Sequence, residues 1–188
     1  MIDKTMNFLL GELNAFLGTV YKATEPYAVL ANLSMPDGSP PREIENRVVL
    51  TLTNIEREYG VRNQDIAMPA QGNTSWRSNA PLNLNLYFLL AASFPSDTAQ
   101  ALRFLSTAVG FLHSKAAFGP HDSASFPRGL ERLTVEMVNL TIGDLHNIWS
   151  CNGAKYLPSV FYKVRMVTLQ DGWIIDRLPV ITGTSAKA

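Results

Sequence analysis

"LNLNLYFLLAASF", residues Leu82 to Phe94, decides the fold. Leu82, Leu84, Leu86 and Phe88 alternate with Asn83, Asn85 and Tyr87, the period of two expected of a strand with a buried face. The longest apolar run of the chain, "LYFLLAA" from Leu86 to Ala92, lies inside this stretch. It is far short of the ~20 residues that cross a bilayer. The stretch therefore reads as a core strand.

On its C-terminal side, Pro95 and Ser96 open a helix reaching to about His113, with Ser96 as N-cap and Asp97 complementing the helix dipole. Ala101, Leu102, Leu105, Ala108, Val109 and Leu112 form its apolar face. Phe104 and Phe111 widen that face beyond what one sheet surface needs. A polar loop, "SKAAFGPHDSASFPRG", leads to a strand alternating through Leu133, Val135 and Met137. "TIGD", Thr141 to Asp144, is a capping box that opens a short helix, with Leu145, Ile148 and Trp149 inward and Gly153 at its end. Trp149 and Tyr156 are expected in the core. "SVFYKVRMVTL" follows, with Val160, Tyr162, Val164 and Met166 on one face; Asp171–Gly172 then turns the chain back through "WIIDRLPVI".

On the N-terminal side, "GVRNQDIAMPAQGNTSWRSNAP", Gly60 to Pro81, has no sustained period and reads as a structureless loop, of the kind that is usually functional. Its Arg62, Trp76 and Arg77 are interface-type residues and the candidate contact set. Before it, "YAVLANL" and "NRVVLTLTNIERE" are two strands joined by the turn-rich "SMPDGSPPRE", expected as an antiparallel pair with a long arm at its tip. Ile2, Met6, Leu9, Leu10, Leu13, Phe16, Leu17 and Val20 give the first segment, from about Asp3 to Tyr21, a helical stripe. The order α–β–β–β–α–β–α–β–β predicts an α+β fold, a mixed or antiparallel sheet with helices packed mainly on one face. A single domain over residues 1–188 is expected, frayed from about 182, since a chain of this length buries about 70% of its unfolded surface.

Sixteen basic and sixteen acidic residues balance, which argues against nucleic acid or an anionic membrane as partner. Charged residues are 17% of the chain, a low share that suits a surface largely covered by other protein. Asp3 and Glu12 stand where a signal peptide needs an uninterrupted apolar stretch, so a soluble, unexported protein is expected.

The search for chemistry finds little. His113, His121 and His146 are not spaced as metal ligands, and the single cysteine has no partner, so neither metal nor cofactor is expected. Cys151 falls near the C-terminal end of a short helix, where the dipole disfavours a thiolate, and reads as a small buried hydrophobe. No nucleophile elbow or phosphate loop is present, and Ser123 and Ser125 near His121 lack the strand–turn–helix setting of a catalytic serine. Glu56 and Glu58, interleaved with Arg57, read as a charged strand edge that resists stray pairing. Lys163 and Arg165 share a strand face, read as a solvated surface or an ion-paired rim. An enzyme is not expected.

The order of segments, from "LNAFLGTVY" through "ENRVVLTLTNIEREYGVRN" to "IWSCNGAKYLPSVFYKVRM", resembles the cap or tail-terminator proteins of extracellular contractile injection systems, of the antifeeding-prophage and virulence-cassette type. The resemblance runs from about Phe8 to Leu169, and "PLNLNLY" is among its most specific parts. It implies a structural role without catalytic residues: a ring of about six copies on the distal end of an inner tube and its sheath, stopping polymerisation and fixing sheath to tube. The implied partners are the chain itself, the inner tube protein and the sheath protein. The implied location is the cytoplasm during assembly and then the particle. Some relatives carry a further C-terminal region, whose role is expected to be absent from this sequence. A free sheet edge is the expected means of strand exchange with the sheath. The alternative is an adaptor attaching another component or cargo to such a particle.

Overall fold

The computed structural model describes residues 1–22, 25–58, 67–68, 74–78, 82–169 and 174–179. In chain order its elements are α1 (Ile2–Tyr21), β1 (Ala28–Leu30), a 3-10 turn (Arg42–Ile44), β2 (Arg47–Arg57), β3 (Ala67–Met68), β4 (Thr74–Ser78) and β5 (Leu82–Ser93). Then follow α2 (Thr98–Ser114), β6 (Ala117–Phe118), β7 (Leu133–Met137), α3 (Ile142–Cys151), β8 (Ser159–Leu169) and β9 (Ile174–Pro179). A six-stranded sheet runs β1-β2-β5-β8-β7-β6, and a three-stranded one runs β3-β4-β9. In the larger sheet every pairing is antiparallel except β1 with β2, so the sheet is mixed. The fold is α+β.

β5 is buried on both faces, which its leucine–asparagine alternation alone does not announce. Leu84, Leu86, Phe88, Leu90 and Ala92 enter the main core, and Leu89 and Ala91 enter a second cluster on the opposite face. The main core is roofed by α1 and α2 through Leu9, Leu13, Leu17, Leu105, Ala108 and Leu112. The second cluster is closed by Trp149 of α3, with Leu33, Ile44, Val49 and Phe161. Two helices thus cover one face and one covers the other.

The expected α2 face is found, widened as its two phenylalanines imply, with Leu102 the one exception. Phe104 and Phe111 are buried, whereas Leu102 is half exposed. These rings pack against α1: Phe111 stacks on Phe16 with centroids 4.8 Å apart, and Phe104 on Tyr21 at 4.2 Å. The helix–helix seam is therefore aromatic, and Lys115 on Glu12 at 2.8 Å closes its end. The N-cap is Asp97, one residue beyond the Ser96 expected, its carboxylate accepting from Gln100 N at 2.9 Å.

Local signals that depend only on neighbours hold. The Thr141 hydroxyl accepts from Asp144 N at 3.1 Å while Asp144 reaches back to Thr141 N, and Gly153 takes φ 61° after α3. Long-range pairings differ. β1 and β2 are parallel, because the chain between them turns through Met35–Ser39 and the 3-10 turn and returns to the same end of the sheet. Residues 60–81 contain β3 and β4 where a structureless loop was expected, and β9 pairs with β4 instead of returning beside β8. Asp171 and Gly172 lie outside the described residues.

Phe88 is fully buried and stacked on Tyr162 at 5.4 Å. Phe88→Ala should cost about 3–5 kcal/mol and Thr141→Ala only about 1 kcal/mol. Chemical denaturation should then show the midpoint of the first variant moved far toward water, since the loss is a large part of a total of about 5–15 kcal/mol, and that of the second shifted slightly.

Candidate assembly interface

A protein without a catalytic constellation can still be specific through its sheet edges, so the edges define the candidate site. At the β1 side, Asn14 of α1 acts as a substitute strand. Its Nδ2 donates to Ala28 O at 3.0 Å and its Oδ1 accepts from Ala28 N at 2.8 Å. The outward amide and carbonyl of Ala28 are thus taken, which blunts this edge against pairing with another chain.

β1 covers only part of β2. Its register ends at Leu30 opposite Leu50, with Ala31 N donating to Leu50 O at 3.1 Å. From Leu52 to Glu56 no strand pairs with β2 on that side among the described residues. A bulge at Thr53 shifts the β2–β5 register there, and the Ile55 N–H is taken by the Asn54 side chain at 2.9 Å. A groove of about 720 Å³ lies beside this open half, lined in part by Ile2, Leu30 and Leu52 with Asp3 and Glu43.

The sheet face at the same end is polar. Tyr87 donates to Glu56 at 2.8 Å, and Asn85 donates to Glu58 at 2.9 Å. Arg165 lies 3.6 Å from both Glu58 and Glu136, joining β2, β8 and β7 in one ionic line. Glu56 and Glu58 were read as a solvated edge; they are members of a cross-strand network on the sheet face. Lys163 lies 5.5 Å above the Tyr87 ring. Each exposed pair stabilises by no more than about 1 kcal/mol, so the network orders four strands at the surface more than it holds the fold together.

The three-stranded sheet grows from the same end. Leu82 pairs Leu169 at the close of the β5–β8 ladder, and Ser78 pairs Ile174 at the start of the β4–β9 ladder. The two ladders succeed each other along the same pair of chain segments, which makes β4–β9 an arm on the central strand pair. Trp76 and Arg77 lie in this arm, opposite Arg177 and Asp176. Arg62 lies outside the described residues. The Ser34–Glu45 segment, expected as a long free arm, is held down: Ser34 donates to Asn152 O at 2.8 Å, Asp37 accepts from Ser39 N at 2.9 Å, and Ile44 is buried.

Two core assignments are corrected. Cys151 is exposed in the last turn of α3, because the apolar face of that short helix is used up by Trp149 and the partly buried Leu145 and Ile148. Tyr156 is 62% exposed, its ring 5.4 Å from buried Trp149. The chemically suggestive loop serves turn geometry: Asp122 accepts from Gly119 N at 2.6 Å, and Ser123 and Ser125 bond each other at 2.8 Å. Among the described residues no group of three His, Cys, Asp or Glu could hold a metal, and no helix is long and apolar enough to cross a membrane.

Burial first, and then its bond to Glu56, pushes the Tyr87 phenol up to about 12; burial pushes Tyr162 up to about 12. Both are favoured neutral in the fold. Their contribution is complete below the ordinary value of 10 and is lost as pH rises through about 12. Denaturation midpoints should therefore fall across that window, and fall less in Tyr162→Phe. That variant should also be neutral or stabilising at pH 7, since the buried Tyr162 hydroxyl has no partner among the described residues. Cys151 should react fully with a thiol reagent in the folded protein, and Cys151→Ala should move stability by less than about 0.5 kcal/mol.

Among solved structures, the chain is similar to the sheath/tube terminator, in its extended state, of the extracellular contractile injection system PVC. That likeness has a TM-score of 0.65 at 15% identity and covers 100% of this chain. It is also similar to the anti-feeding prophage tube-terminating cap, with a TM-score of 0.52 at 16% identity over 94% of this chain. It spans 63% of the first of those chains and 60% of the second. At such identities the shared property is the fold. No curated protein matches the sequence. The family model described as the Pvc16 N-terminal domain matches residues 5–182, nearly the whole chain, and the protein belongs to that family.

Proposed function

We propose that this protein is a tube and sheath terminator of a contractile injection particle, a structural component that is not an enzyme. The observation that carries the reading is the likeness of the entire chain to a sheath/tube terminator. Family membership over residues 5–182 supports it. In this reading the chain forms a closed ring on the distal end of the inner tube. It binds the last tube and sheath subunits and offers no equivalent surface to a further ring. The protein becomes part of the particle once the tube is complete.

The physical features agree with a surface meant for other protein. Formal net charge is zero, so long-range repulsion between copies is small. Apolar side chains stay exposed at separate places, with Ile142 at 89% and Met137 at 50%. They are too scattered for a small-molecule pocket but suit contacts at a ring's rim.

Native mass measurement of the purified chain, with negative-stain images after mixing it with purified tube, tests this. The expected result is a ring of about six copies, or density of this chain at one tube end only. A monomer that ignores tube ends and binds another part of the particle would overturn the terminator reading in favour of an adaptor.

A further inference from the structure

A cavity lies between the strap 33–44 and the chain that follows α3, and we propose that it binds the C-terminal residue of another protein chain, an apolar side chain with its terminal carboxylate. The cavity measures about 550 Å³, a size that suits a small ligand group. Its walls are mainly apolar. Leu33, Pro40 and Ile44 come from the strap, Leu157 from the chain after α3 and Pro95 from the chain after β5. The strap is pinned to the end of α3 by the Ser34 hydroxyl, which donates to Asn152 O at 2.8 Å. The cavity is therefore formed before any occupant arrives, which lowers the cost of binding.

The unfilled polar side chains of the lining are donors, and this selects the ligand. Ser93 is only 5% exposed. Two residues beyond Ala91 on β5, it faces the same side of the sheet, toward the second cluster. Its hydroxyl has no partner among the described residues. A buried hydroxyl left unpaired is costly, and an incoming acceptor satisfies it. The Lys155 ammonium, on the exposed side of the lining, is likewise unpaired among the described residues. The one acid of the lining, Asp37, is already engaged, accepting from Ser39 N at 2.9 Å and from Ser39 Oγ at 2.6 Å. An occupant must then be apolar in its body and an acceptor in its polar part. Beside an unpaired ammonium, a carboxylate fits that description best. A chain end fits better than a free acid, because exposed apolar surface continues past the cavity. Met35, between the lining residues Leu33 and Asp37, is 48% exposed, and Tyr156, between Lys155 and Leu157, is 62% exposed. These side chains flank the site and are placed for residues that precede the terminal one. The inference goes beyond the terminator reading and does not depend on it.

An NMR titration of the isotope-labelled full-length chain with a short peptide ending in Phe-Leu tests the site. Saturable shifts should appear first at the amides of Leu33, Ser93, Lys155 and Leu157. Amidating the peptide's terminus should weaken binding about threefold or more, and Lys155→Glu should remove that difference between the two peptides. Ser93→Ala should weaken the free-acid peptide by about threefold, with an unchanged thermal transition. Isocaproate, which is the leucine end without its chain, should bind at least about tenfold more weakly than the peptide. Shifts absent from these residues or centred elsewhere, or equal binding of the free and amidated peptides to the wild type, would overturn the proposal. Isocaproate binding as tightly as the peptide would overturn it too, by giving the site to a small acid. None of these outcomes touches ring formation or tube-end binding, which native mass and images read separately, and a chain that forms no ring would leave this site standing.

Discussion

β5 is buried along almost its whole length on both faces, and a strand in that position cannot be covered by one layer. Leu86, Phe88 and Leu90 require the α1–α2 roof, and Leu89 and Ala91 require Trp149 of α3. β2 and β8 must then flank it, since its backbone groups have no access to water and each unmet one would cost about 1–3 kcal/mol. The order of the larger sheet follows from that need. So does the aromatic seam between α1 and α2, because helices sharing one side of a sheet must also bury the sides they turn toward each other.

The same logic leaves its exceptions at the margins. β1 is only three residues long and pairs with Val48, Val49 and Leu50. Its outward amide would be an invitation to stray pairing, and Asn14 removes it with a side-chain amide presenting the donor and acceptor of a peptide unit. A capped edge and an uncapped one thus lie side by side in the sheet. The uncapped half of β2 carries the bulge at Thr53 and the Asn54–Ile55 contact, small devices that keep it tidy without closing it.

What the sequence made legible was what neighbours in sequence determine. The strand over Leu82–Phe88, the helix of α1, the capping box at Thr141 and the turn at Gly153 all depend on residues a few positions apart, and all are found, although Leu82 and Val20 are exposed and Asn83 and Asn85 are buried. The errors share a cause as well. The direction of β1, the partner of β9 and the strands within 60–81 are set by pairing over long separations, on which local periodicity is silent. Leu102 is half exposed while Phe104 and Phe111 are buried, because α2 packs against α1 as well as the sheet and the aromatic side of the helix takes the inward positions. Cys151 and Tyr156 failed differently: residue type favours burial, but a helix of ten residues has few inward positions for Cys151, and Tyr156 lies beyond that helix, its ring near Trp149 yet mostly exposed. The Arg165 network was half visible, in the shared face of Lys163 and Arg165 and in the spacing of Glu56 and Glu58. The register that joins them was not.

A terminator has to reconcile two demands: strong cohesion within its own layer and no capacity to extend the stack. In the proposed ring, contacts between copies would meet the first demand, and the faces turned along the axis would decide the second. Attachment along the axis would then fall to the two sheet faces, which are chemically unlike. One is roofed by α1 and α2; the other presents α3 with Ile142 outward, and the polar line from Tyr87 to Glu136. A subunit whose two faces differ this much can complement a tube or sheath ring on one side without presenting that ring's own surface on the other. If the proposed function holds, asymmetry between the faces, set by the two different covers that β5 demands, would let a single fold bind the end of a polymer and stop it.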